Sequence, residues 1–128
     1  MADIPRGNRP LSPHLQAYRL PLAAITSIMT RMTGQALVAG VLLVVWWLVA
    51  AATSPGAFAL ADGVLRSWFG ALVLLGSTWA LWYHFCAGLR HLYYDSGRGL
   101  EIVLGRQLSI AVLVGSGILT LLTLILFI

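Results

Sequence analysis

The sequence contains no lysine, four acidic residues and one cysteine. Charged residues fill 9% of its 128 positions, against about 25% in a soluble domain. That shortage excludes a water-soluble globular fold. The lone Cys86 excludes an internal disulfide, a Cys-x-x-Cys redox pair and a cysteine zinc site. No glycine-rich phosphate loop is present either. The net charge of +4 reflects how the arginines are distributed and gives no support to nucleic-acid binding.

What the chain has instead is long uncharged stretches. Hydrophobic residues make up 59% of it, and the mean hydropathy is +0.89. Charge is absent from Met32 to Ala61, Ser67 to Leu89 and Gln107 to Ile128. A membrane-spanning helix needs about 20 apolar residues, so three spans are expected, the first beginning before Arg31. The fold class is an all-α membrane protein with three transmembrane helices. Residues 1–23 form a tail and interfacial lead-in, and residues 24–128 the anchor domain, with spans at about 24–52, 64–93 and 101–128. Pro21 fits the first turn of the first helix. Thr53 to Gly56 (T-S-P-G) reads as a turn, Ala57 to Asp62 as a short interfacial segment, and Ser96 to Gly99 (S-G-R-G) ends the second span. Three helices are few for a self-contained redox or transport site, so the bundle is expected to be completed by partner chains.

The arginines set the orientation. Arg6, Arg9, Arg19 and Arg31 gather at the N-terminal end of the first span, and Arg90, Arg98 and Arg106 cluster around the junction of the second and third. The first loop has only Arg66, balanced by Asp62. The positive-inside rule places the N-terminus and second loop in the cytoplasm and the C-terminus across the membrane. Trp46 and Trp47 suit the outer interfacial belt. The first twenty residues have no apolar signal core, and no presequence rich in arginine and serine is seen. The expected location is therefore a bacterial inner membrane, with a periplasmic C-terminus.

Chemistry concentrates at His84 to Asp95 (H-F-C-A-G-L-R-H-L-Y-Y-D). His84 lies six residues before Arg90, about 9 Å inside the boundary by helix rise. Ionisable groups within a span are costly and tend to be functional. Two readings fit: a histidine hydrogen-bonded to a neighbouring helix, or an axial haem ligand. Gly88, one turn on, would let a flat macrocycle approach, although small residues also serve plain helix packing. His91, roughly 10 Å further along the axis, suits a propionate, a quinone head group or a lipid phosphate. Arg90 reads as a boundary anchor. Asp95 and Glu101 either pair with Arg98 or Arg90 or lie on a proton route.

A second constellation, Ser27-Ile28-Met29-Thr30-Arg31-Met32-Thr33-Gly34, lies on the first span. Ser27 and Arg31 share a face. An arginine near hydrocarbon calls for an anionic or polar partner: a propionate, a quinone carbonyl or a lipid head group. Only three histidines exist, and His14 is in the tail. A cytochrome holding two haems in one chain needs four, so one chain supplies one axial ligand unless two copies pair.

Together, S-I-x-x-R-x-[ST]-G on the first span and H-x3-G-x-R-H-x3-D at the end of the second resemble the cytochrome b556 subunits of succinate dehydrogenase, the larger membrane anchors of respiratory complex II. The lead-in R-P-L-S-P-H-L-Q-A-Y-R from Arg9 to Arg19 resembles that family too, and the likeness covers nearly the whole chain. It implies a heteromeric helical bundle holding haem b, with His84 as the iron's axial ligand and the other ligand on a smaller anchor subunit. It implies that Ser27, Ile28 and Arg31 line a ubiquinone site, and that Arg31, His91 and Gly88 adjoin the haem. It implies a proton-delivery role for Asp95, with Glu101 a further candidate. Further partners would be an iron–sulfur subunit, a flavoprotein subunit carrying FAD, and the phospholipid bilayer. Relatives often carry histidine where this chain has Thr30, so the contact expected there differs.

The function so implied is ubiquinone reduction with electrons from succinate, as a subunit with no catalysis of its own. Three other readings remain open: the anchor of a quinol:fumarate reductase, a haem-free structural anchor, and a homodimeric cytochrome with His84 from each copy.

Overall fold

A computed structural model describes residues 12–14 and 16–127. Of the tail and lead-in expected over residues 1–23, residues 1–11 and Leu15 lie outside the described residues. Four helices occur in order: α1 Leu22–Thr53, α2 Pro55–Arg66, α3 Trp68–Asp95 and α4 Ile102–Phe127. Helices α1, α3 and α4 are long and apolar enough to span a membrane, and they run up, down and up. In hydrocarbon the backbone must satisfy its own hydrogen bonds, which a helix does internally.

Helix α1 starts one residue after Pro21, which sits at the N-cap in extended conformation rather than in the first turn. Its 32 residues measure about 48 Å, more than the ~30 Å hydrocarbon core. The T-S-P-G segment is a helix-to-helix joint. Ser54 is extended and accepts a hydrogen bond from the Ala57 amide, and Pro55 opens α2. This short helix leans on the end of α1. Trp47 stacks on Phe58 at 5.5 Å and donates from Nε1 to Asp62 at 3.4 Å, which also pairs with Arg66 at 2.8 Å.

The second span departs from expectation at its start. Apolar character continues from Val64, but the helix begins at Trp68, because Ser67 is extended and caps the new helix through the Gly70 amide. Two directions of chain meet so closely there that a Cβ on Gly70 would collide with the Val64 and Leu65 carbonyls. Val64 thus belongs to α2, not to the span. The span ends at Asp95, where Gly97 and Gly99 take φ of +75° and +77°, a region open to glycine at little cost.

Helix α3 packs against both α1 and α4. Most of what is buried is small or polar, including Ala80, Ala87, Thr26, Thr33, Ser109, Ser116 and Thr120, and Tyr83 and Val112 are buried with them. Most leucines, isoleucines and valines face outward. Lipid is as apolar as leucine, so large side chains gain nothing by turning inward, and small residues let helices approach. Trp82 Nε1 donates to Thr123 Oγ1 at 2.8 Å, tying the middle of α3 to the C-terminal end of α4.

Candidate functional site at the arginine-rich end of the bundle

His84 sits at the α1–α3 contact. Its Nδ1 lies 3.1 Å from the Thr30 carbonyl and 3.4 Å from Thr33 Oγ1. A carbonyl only accepts, so this contact calls for a proton on Nδ1, and in the neutral ring that leaves the lone pair on Nε2. That is the tautomer a metal ligand requires, with the opposite nitrogen held by a backbone oxygen. Gly34 makes the approach possible: a Cβ there would stand 3.2 Å from His84 Cε1. Gly88 lies one turn along α3 from His84, with nothing within 4 Å of where its Cβ would be. The donor set and the open glycine face fit an imidazole-ligated planar macrocycle.

Helical spacing groups the remaining candidates. Ser27, Arg31 and Gly34 fall at i, i+4, i+7 along one flank of α1, and Gly34 touches the His84 ring. His84, Gly88, His91 and Asp95 obey the same rule along one flank of α3. The close approach of Gly34 to His84 therefore sets the α1 flank of Ser27 and Arg31 beside the α3 flank of His84, Gly88, His91 and Asp95. Arg31 and Ile28 are exposed there and Ser27 is half-buried. His91 meets the Tyr94 ring edge-on at 6.1 Å.

Other expectations change. Glu101 does not join this flank; it borders a separate groove with Pro21, Tyr94 and Arg106. The expected pairing of Asp95 or Glu101 with Arg98 or Arg90 is not observed: both acids are exposed, and the ion pair among the described residues is Asp62–Arg66. Thr30 turns its hydroxyl back onto the Thr26 carbonyl at 2.9 Å and presents its own carbonyl to His84.

The largest revision concerns Arg90, which is buried rather than a boundary anchor, with 5% of its surface exposed. Its Nη1 donates to Thr26 Oγ1 at 2.7 Å and Ser109 Oγ at 3.2 Å, and its guanidinium lies 5.9 Å from the Tyr94 ring centre. Its Nε has no partner among the described residues. Beside it, the fully buried Tyr83 donates from its hydroxyl to the Thr26 carbonyl at 2.8 Å. This cluster joins all three long helices. Its signal in the sequence is the recurrence of small hydroxyl residues in apolar helices, such as Ser109, Ser116 and Thr120, which marks an inward stripe.

Residues 5–124 match the family described as the succinate dehydrogenase/fumarate reductase transmembrane subunit. The chain belongs to this family. It is 69% identical over 127 residues to the succinate dehydrogenase cytochrome b556 subunit of Paracoccus denitrificans, covering 99% of this chain and 98% of that one. It is 38% identical to the corresponding subunit of Rickettsia conorii, covering 89% of each. A mitochondrial relative, the cytochrome b560 subunit of Sus scrofa, is 38% identical over 84% of this chain and 64% of its own length. Family membership agrees with the all-α, three-span architecture and with a membrane-subunit role within an oxidoreductase complex. Every residue of the His84 flank falls inside the matched segment.

Proposed function

We propose that this chain is the haem-carrying membrane anchor of a succinate:ubiquinone oxidoreductase, set in a bacterial inner membrane with its N-terminus cytoplasmic. The observation that carries the reading is His84. Its Nδ1 faces a backbone carbonyl, which supports Nε2 as the ligating nitrogen, and it lies beside an open glycine face and next to the Ser27–Arg31 flank.

In this reading His84 Nε2 would hold haem b together with a residue of a smaller anchor subunit. When bound, the haem would supply one-electron storage. This chain's residues bind and orient. Ser27 offers a hydroxyl to a quinone oxygen, and Ile28 packs on the ring. Arg31, a guanidinium cation, offsets negative charge as two electrons reach the quinone and would also meet a propionate. His91 lies toward the propionates. Asp95, on the same flank and exposed, can hold a proton taken from water on its way to the reduced quinone; Glu101, off that flank, is the weaker candidate for this role. FAD and iron–sulfur clusters belong to soluble partner subunits, which deliver the electrons. The reaction balances as ubiquinone plus two electrons and two protons giving ubiquinol.

The test is an optical difference spectrum of the gently purified complex. Adding succinate should raise a sharp b-type band, and His84→Ala should abolish it while succinate still reduces a soluble dye. A full band in His84→Ala would overturn the ligand assignment. No band with either succinate or dithionite in the unaltered complex would sink the haem claim.

A further inference from the structure

Thr26 is gripped from two other helices at once. Tyr83 of α3 donates to its carbonyl at 2.8 Å, Arg90 of α3 donates to its hydroxyl at 2.7 Å, and the Thr26 hydroxyl reaches Ser109 of α4 at 3.2 Å. Ser109 is fixed in turn by donating to the Gly105 carbonyl at 2.8 Å. Thr26, Tyr83 and Ser109 are fully buried. One turn along α1, His84 holds the Thr30 carbonyl. Further along, the α1–α3 contact is between small residues, with Gly40 against Ser77. At the other end of α1 Trp47 bonds Asp62 of α2 at 3.4 Å, so among the described residues the hydrogen bonds that α3 and α4 make to α1 fall on the stretch that carries Ser27 and Arg31.

We infer that Tyr83 and Arg90 are positioning residues for the quinone site, an inference that rests on the reading of Ser27 and Arg31 given above. Ser27 is the next residue after Thr26, and Arg31 lies one turn beyond it. Side chains end about 5–6 Å from a helix axis, so rotating α1 by about 20° moves them by roughly 2 Å. A displacement of about 1 Å from productive geometry can cost 10²-fold in rate. Apolar packing in lipid resists such a rotation weakly, because the outward face is equally content at any angle. Directional hydrogen bonds resist it strongly. Three features suit Arg90 to this role. Its guanidinium is planar and presents five N–H donors. Its acceptors are neutral hydroxyls on α1 and α4, with no carboxylate beside it among the described residues. Its charge is held within the bundle at an energetic cost that packing alone would not require.

The test uses the whole complex in membranes, with Tyr83→Phe, Arg90→Gln, Arg90→Lys and Arg31→Ala. Succinate-to-dye activity measures assembly and the soluble half. Steady-state rates with a short-chain ubiquinone give kcat and KM. Tyr83→Phe and Arg90→Gln should leave the dye rate per complex unchanged and raise the quinone KM about three- to tenfold, the loss of roughly one hydrogen bond of restraint. Arg90→Lys should recover part of that loss. If Arg90→Gln fails to assemble, Tyr83→Phe decides alone. A raised KM in Arg31→Ala with an unchanged KM in assembled Tyr83→Phe overturns the positioning role and leaves the quinone site standing. An unchanged KM in Arg31→Ala overturns the quinone-site reading, and the positioning role with it.

Discussion

Enlarging Gly34 tests whether the close approach of α1 sets the orientation of His84. A methyl added at Gly34 would stand 3.2 Å from His84 Cε1, a few tenths of an ångström inside ordinary contact. The ring can yield that much by lengthening its 3.1 Å contact with the Thr30 carbonyl. The cost is part of one hydrogen bond, about 0.5–1 kcal/mol, offset by alanine's helix preference of up to about 1 kcal/mol over glycine. Gly34→Ala should therefore assemble normally and keep its haem. Gly34→Val adds two more methyl groups, at least one of them directed at the ring. Now His84 must leave its rotamer, at about 0.5–1.5 kcal/mol for a 30° departure, and lose the Thr30 hydrogen bond, about 1 kcal/mol more. Overpacking adds roughly 1–3 kcal/mol. The sum, about 2.5–5.5 kcal/mol, falls on the proposed ligand itself. The assay is haem content per complex from the pyridine haemochrome, with the low-spin spectrum of the purified enzyme. Gly34→Ala should retain full occupancy with a small spectral shift, and Gly34→Val should lose most of the haem while succinate-to-dye activity persists. Full occupancy and an unaltered spectrum in Gly34→Val would refute the argument that this contact orients the ligand.

Two further outcomes test the frame around the site. Gly70→Ala drives a methyl into the Val64 and Leu65 carbonyls; backbone cannot swing aside as a side chain can, so the thermal stability of the purified complex should fall clearly, and an unchanged Tm would contradict the tight α2–α3 joint. Asp62→Asn weakens a pair whose arginine is 81% exposed; such pairs contribute about 0–1 kcal/mol, so the Tm should barely move, and a large drop would mean that the joint depends on charge.

Hydrocarbon thickness and the absence of charge are one-dimensional properties, and the sequence alone determined their consequences. Three uncharged stretches of sufficient length, separated by arginines, dictate three helices, because no other open-chain structure satisfies its backbone in lipid. The 3.6-residue period likewise put His84, Gly88, His91 and Asp95 on one flank, and Ser27 with Arg31 on another, before any neighbour was known. The joint at Ser67 was not legible, because apolar character runs through it and only the steric meeting of Gly70 with the preceding carbonyls reveals the break. Arg90 was hidden for a related reason. In water, an apolar stripe tells which side of a helix faces the core, but in lipid both sides are apolar and periodicity gives no inward direction. By its position in the chain, Arg90 at the end of a span looks like an anchor for lipid phosphates. Only the packing of α1 and α4 around α3, which brings Thr26 and Ser109 within hydrogen-bonding reach of one guanidinium, turned it inward. The flank of α1 that meets His84 was likewise decided in three dimensions, where Gly34 lets the imidazole approach and the Thr30 carbonyl fixes which nitrogen remains free.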